Sequence, residues 1–228
     1  MIYADNAATT KMCPAAIEAM TKCMTENYGN PSSLYAYGQQ AREILDDARE
    51  RIAKCLGCTA REITFTSGGS EADNQAIFSA AALGAKKGKK HIISTAFEHH
   101  AVLHTLDKLR AQGFEITLLD VHKNGIVTAQ QVRDAIRDDT CLVTVMFANN
   151  EIGTVEPIAE IGAVCREKGV LFHTDAVQAL GKMPLDVQKL GVDAASFSAH
   201  KIGGPKGVGA LYLKARTPFS PYLLGGGQ

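Results

Sequence analysis

Residues 63–87 read ITFTSGGSEADNQAIFSAAALGAKK. The first four, ITFT, are β-branched or aromatic, as in a buried strand. Gly68 and Gly69 punctuate. From Ser70 onward apolar residues recur at spacings of three and four, the period of a helix. A strand, a tight turn and a helix in 25 residues is the repeating unit of an α/β sheet.

The same unit recurs outward from this stretch. Further strand patterns are HIISTA (91–96), EITLLDV (115–121), CLVTVMFA (141–148), VLFHTDA (170–176), AASFSA (194–199) and GALYLK (209–214). Helical patterns fill 14–27, 39–56, 100–113, 128–136 and 158–169, with Gly113 and Gly169 where a left-handed cap is favoured. Apolar strands alternating with helices predict a three-layer α/β/α sandwich with a mostly parallel seven-stranded sheet. The last two strand runs lack a full helix between them, so an antiparallel pairing is expected there.

Composition narrows the function classes. Lys+Arg and Asp+Glu balance at 24 each over 228 residues, so no global field recruits nucleic acid or an anionic membrane. The N-terminus MIYADNAATT has neither a basic region nor a long apolar stretch, unlike a secretory signal. The longest apolar run, 141–148, is far too short to span a bilayer. Six cysteines in such a chain read as thiols of a cytoplasmic protein. Cys55 and Cys58 form a CxxC, but no second pair completes a zinc site and the motif closes a helix pattern instead of opening one.

In such sheets ligands bind beyond the carboxyl ends of the strands. Five of those ends carry chemistry here. Gly69 and Ser70 open a helix whose free amides suit a phosphate. The others bring the imidazole of His99, the amides of Asn150 and Gln178, the carboxylate of Asp175, and Ser198, His200 and Lys201. Singly, each has a plain structural reading as a cap, a turn former or a buried acid. Together they meet the needs of pyridoxal 5'-phosphate: an amine, an acid against the ring nitrogen, a flat group over the ring, donors to its 3-oxygen and an anion site. No tight cluster of histidine and carboxylate implies a metal.

The segments YADNAATT (3–10), NPSS (30–33), TSGGSE (66–71), EH (98–99), NNEIG (149–153), HTDAVQ (173–178), SFSAHK (196–201) and GGPKG (203–207) give the chain its resemblance to the large domain of the cysteine desulfurases. These are class V aminotransferase-like enzymes of pyridoxal-phosphate fold type I. The resemblance implies that Lys201 is the Schiff-base lysine that also moves the substrate Cα proton. It implies that Asp175 keeps the ring nitrogen protonated and that His99 stacks on the ring and acts as a catalytic imidazole. Asn150 and Gln178 would meet the 3-oxygen. Gly69, Ser70, Ser198 and His200 would cradle the phosphate, and Asn6 and Asn30 would line the substrate side. The implied substrate is L-cysteine, converted to L-alanine with the sulfur passing to an enzyme cysteine as persulfide. The implied partners are a second copy of the chain, in a homodimer, and a sulfur-acceptor or iron–sulfur scaffold protein.

The departures are as specific. The persulfide cysteine of the family follows the lysine, in a loop of a smaller C-terminal domain, whereas all six cysteines here precede Lys201. Arg216, the one arginine after Lys201, comes too early for the family's substrate-carboxylate clamp. The expected organisation is therefore an N-terminal segment (1–13) suited to pack with a small domain, a cofactor-binding large domain (14–228), and a small domain outside this sequence. On that expectation the chain alone does not turn cysteine over. A selenocysteine lyase or aminotransferase of the same fold, and a non-catalytic cofactor-binding or dimerising module, remain as alternatives.

Overall fold

The computed structural model describes residues 1–221 and 223–225. Residues 226–228 of the glycine-rich motif fall outside that range. Helices α1 (Pro14–Thr25) and α2 (Ala36–Leu56) lead into β1 (Ile63–Thr66), α3 (Gly69–Ala85), β2 (His91–Thr95), α4 (His100–Ala111) and β3 (Glu115–Leu119). Then come α5 (Ala129–Ala135), β4 (Thr140–Thr144), α6 (Ile158–Lys168), β5 (Leu171–Asp175), a single turn α7 (Val187–Leu190), β6 (Ala194–Ser198) and β7 (Gly209–Leu213).

The seven strands form one sheet in the order β1-β7-β6-β5-β4-β2-β3. Strands β2 to β6 pair in parallel. The expected antiparallel strand is β7, and it runs antiparallel to both of its neighbours, β1 and β6. Burial explains why the strands lack a polar face: β2, β4 and β6 are buried at every position. Successive side chains point to opposite faces. Ile92 and Leu142 pack with Ile77 and Ala80 of α3 and Leu106 of α4. Their neighbours Ile93 and Val143, with Phe172 and Tyr212, pack on the other face with Leu56 of α2, Val132 of α5 and Ile161 of α6. A one-residue slip would exchange the two sets, so packing specifies the register. Gly113 and Gly169 end their helices with φ of 85° and 65°, as their placement predicted.

The main difference from expectation lies in 141–148. The ladder of β4 stops at Thr144, yet the chain stays attached to β5, because the amides of Val145 and Phe147 bond to the carbonyls of His173 and Asp175. Ala148 then bridges to Val155. This extension carries Asn149 and Asn150 out to the sheet edge. At the other end of the chain, Thr10 donates its amide and hydroxyl to the His200 carbonyl, and Cys13 donates its amide to Gly203. The segment expected to serve a second domain thus docks on the turn after β6. Among the described residues, no helix is long and apolar enough to cross a membrane.

Candidate active site

The first wall of the site follows from the glycines. Gly209 of β7 pairs with both Thr66 of β1 and Ser198 of β6. A Cβ on Gly209 would lie 2.6 Å from the Gly68 carbonyl carbon and 2.6 Å from the Phe197 oxygen. Only glycine lets the turn after β1 close against β6. Helix α3 then starts at Gly69 without a side-chain cap, because its N-cap is Gly68, while Glu71 folds back to accept the amide and hydroxyl of Ser67. Its first amides and positive dipole end remain for an anion.

Each following strand end adds one wall. After β2, His99 is the N-cap of α4, accepting the Ala101 amide on Nδ1 at 3.1 Å, which leaves Nε2 as the ring's donor. It therefore caps a helix and lines the cavity at once. After β4, Asn149 is structural: its Oδ1 accepts the amides of Glu151 and Ile152, and its Nδ2 reaches the Phe97 carbonyl. Asn150, beside it, faces the cavity. Asp175 ends β5, 5% exposed, and accepts the Val177 amide at 2.9 Å. Gln178 donates to the Ala7 carbonyl and accepts from Lys182. After β6 a short 3-10 turn, Ala199–Lys201, swings His200 toward the Thr9 hydroxyl and Lys201 onto the carbonyls of Ala7 and Ala8, at 2.6 and 2.8 Å.

These ends enclose one cavity of about 480 Å³, lined by all nine residues read as cofactor-binding, from Gly69 through Lys201. Asn6 and Asn30 are not among its lining residues. Asn30 instead accepts the Ser32 amide on Oδ1, beside a separate groove lined by Pro31, Ser32 and Phe65. The cavity also has residues that the motifs did not single out: Asp5, Asp73, Met146, Glu151 and Val177. Asp73 left a signal, a carboxylate amid the alanines and isoleucine of a helix with little other charge.

Electrostatics sharpen the arrangement. Burial lowers the proton affinity of Lys201, and the charge of Lys182 lowers it further. Burial also lowers the proton affinity of the His200 imidazole, helped by Lys201 and Lys206. Three carboxyls sit beneath, and burial raises each: Asp73, Asp175 and Glu98, the last to about 8. Pyridoxal phosphate fits this set. The uncapped head of α3, with Ser198 and His200, suits its phosphate; Asp175 suits its ring nitrogen; Lys201 suits its aldehyde.

Comparison with known proteins agrees with that chemistry. Residues 2–228 match the family model described as aminotransferase class-V. The chain is 52% identical over 227 residues to the cysteine desulfurase IscS of Methanosarcina thermophila and 48% identical to that of Dictyoglomus turgidum. All of this chain is aligned in both cases, against 56% and 57% of the relatives, so it spans little more than half their length. Among solved structures, a NifS-like protein superposes with a TM-score of 0.96 at 41% identity, over all of this chain and 62% of that one. A structure of SspA in complex with cysteine superposes at 0.95 and 40% identity, over all of this chain and 66% of that one.

Proposed function

Because the chain belongs to the class-V aminotransferase family, whose members work with pyridoxal phosphate, we propose that it performs the cofactor chemistry of a cysteine desulfurase, acting on L-cysteine. The observation that carries this reading is the convergence of Lys201, Asp175 and His99 on one cavity beside the uncapped head of α3.

Bound there, pyridoxal phosphate supplies an aldehyde for amine exchange and an electron sink beside the substrate Cα. The chain's own residues do the rest. Lys201 would hold the aldehyde, and its lowered proton affinity would favour the neutral amine that takes the Cα proton. Asp175 holds the proton on the ring nitrogen, screened from water at 5% exposure. His99, which lines the cavity with Nδ1 engaged by the Ala101 amide, would cover a face of the ring with Nε2 free to donate. Asn150 and Gln178 fix the 3-oxygen. Ser70, Ser198, His200 and the first amides of α3 anchor the phosphate, which restricts the reacting geometry.

None of the six cysteines lines the cavity. Burial pushes the thiols of Cys58 and Cys141 up to about 11 and that of Cys165 to about 12, which starves them of thiolate. On this reading the chain activates the substrate, and the sulfur leaves on a thiol that none of its own cysteines supplies. The relatives named IscS support a sulfur-acceptor or iron–sulfur scaffold protein as the downstream partner. The exposed apolar stretch with Tyr28, Leu34, Tyr35 and Tyr37 supports a homodimer. Six free thiols support a cytoplasmic location.

The test is direct. Mixed with pyridoxal phosphate, the protein is expected to gain a visible absorption band that borohydride abolishes, leaving the label on Lys201. Offered cysteine, the loaded protein is expected to exchange the Cα proton with solvent and release no alanine. A reducible band that survives Lys201→Ala, or repeated alanine release lost with one of the six cysteines, would refute the reading.

A further inference from the structure

Asp175 is one of three carboxyls buried under the cavity, and the chemistry above leaves the other two unused. Asp73, the fifth residue of α3, lines the cavity at 1% exposure. Its Oδ1 has no hydrogen-bond partner. Nε2 of His173 lies 3.6 Å away. His173 is no counter-ion. Its Nδ1 pairs with the Thr144 hydroxyl at 2.8 Å and its Nε2 with the Ser196 hydroxyl at 2.9 Å, and burial holds the ring neutral down to about 3. The Ser196 hydroxyl, paired with His173, is a polar neighbour that only partly offsets the burial of the Asp73 carboxyl.

Asp175 is treated differently. It accepts the Val177 amide, and Lys201 and His99, across the cavity, favour its charged form. Glu98 takes the Thr95 hydroxyl at 2.6 Å and the Met146 amide at 2.9 Å on one oxygen, while its other oxygen has no partner. The charged groups acting on it, Asp175 and Glu156, are both acids.

We propose that Asp73 is a positioning residue: a neutral carboxylic acid that holds a proton inside the acid cluster and confines the cluster's negative charge to Asp175, against the ring nitrogen. The inference rests on the reading of Asp175 as the partner of that nitrogen. Neighbouring carboxyls in a dry site do not both ionise. The proton stays where the anion is least supported. An unpartnered buried hydroxyl costs far less than an unpaired buried carboxylate. Asp73 has an unpartnered oxygen and faces a neutral imidazole; Asp175 receives an amide and has Lys201 across the cavity. The charge would be needed at Asp175, the carboxyl that would meet the ring nitrogen.

Infrared difference spectroscopy on the protein with and without pyridoxal phosphate reads the proton's place. Wild type minus Asp73→Asn at neutral pH is expected to show the carbonyl stretch of a protonated carboxyl and no carboxylate bands. Wild type minus Asp175→Asn is expected to show carboxylate bands. In Asp175→Asn the Asp73 carboxyl is expected to titrate about one pH unit or more lower, relieved of its charged neighbour. Carboxylate bands lost in Asp73→Asn would overturn the proposal. Asp73→Asn is further expected to bind pyridoxal phosphate within about threefold of wild type, whereas loss of about tenfold or more, one charge-assisted contact, would place the working anion on Asp73. Asp73→Ser serves the same comparisons if the Asn variant does not fold. If wild type takes up no cofactor, the functional reading fails, while the infrared arm still decides where the proton sits.

Discussion

His91 and His173 are both buried in strands of the same sheet, and both rings are satisfied by two hydroxyls. His91, at the head of β2, pairs with Thr140 and Thr117 at 2.8 Å each; His173, in β5, pairs with Thr144 and Ser196. Their surroundings differ. Around His91 every acid has a cation: Arg137 forks onto Glu115 and also bonds Asp139, holding both carboxyls below their ordinary range. Around His173 the acids are pushed upward, and Asp73 and Glu98 each keep an oxygen without a partner. One edge of the sheet meets its polar needs from within. The other leaves them open, as expected where a ligand completes the set.

That contrast breaks most sharply at Asp175. Asp175→Ala is expected to weaken pyridoxal phosphate binding by about a hundredfold and to shift the visible band, since one partner of a buried charge pair is lost. Equilibrium titration by absorbance checks it, and an unchanged affinity and spectrum would make Asp175 merely structural. Next in size, Gly209→Ala is expected to cost about 1–3 kcal/mol of stability, because its Cβ meets two backbone atoms that cannot move independently. Urea denaturation measures the loss, and cofactor affinity should fall with it.

The open edge carries two opposed pH responses. Glu98 holds its proton to about 8 in the fold and releases it near the ordinary 4.5 when unfolded, so its contribution to stability is full below 4.5 and is lost as pH rises to 8. His173 works in reverse: neutral in the fold down to about 3, protonated below 6.5 when unfolded, it costs stability as pH falls through that window. Each slope is at most about 1.4 kcal/mol per pH unit. Glu98→Gln, which keeps an acceptor for Thr95 and Met146, is expected to flatten the alkaline limb in thermal melts at several pH values and leave the acid limb intact. Smallest of all, Arg137→Ala is expected to lower the melting temperature slightly, less so in high salt, and to leave cofactor binding unchanged.

Much of this was legible in the residues. Strand and helix patterns show because both faces of a parallel sheet are covered, which makes its strands uniformly apolar and its helices one-sided. The cavity residues show because each follows a strand end, where little but a turn or a ligand explains a polar residue. Strand order is not local information: nothing in GALYLK says that β7 enters between β1 and β6. Asp73 stayed hidden because it lies inside a helix, one turn behind the loop that announces the site. Asn30, legible as part of a motif, lies off the cavity because its side chain is spent on its own turn.

The insertion of β7 between β1 and β6 also sets a schedule. Ile63 finds its partner at Tyr212, roughly 150 residues later, and synthesis at about 5–20 residues per second leaves β1 waiting on the order of ten seconds. Throughout that interval the phosphate turn after β1 and the lysine turn after β6 have no strand between them. The nascent chain therefore emerges with a sheet that can grow from β2 to β6 while the turn after β1 waits for the strand that joins it to β6.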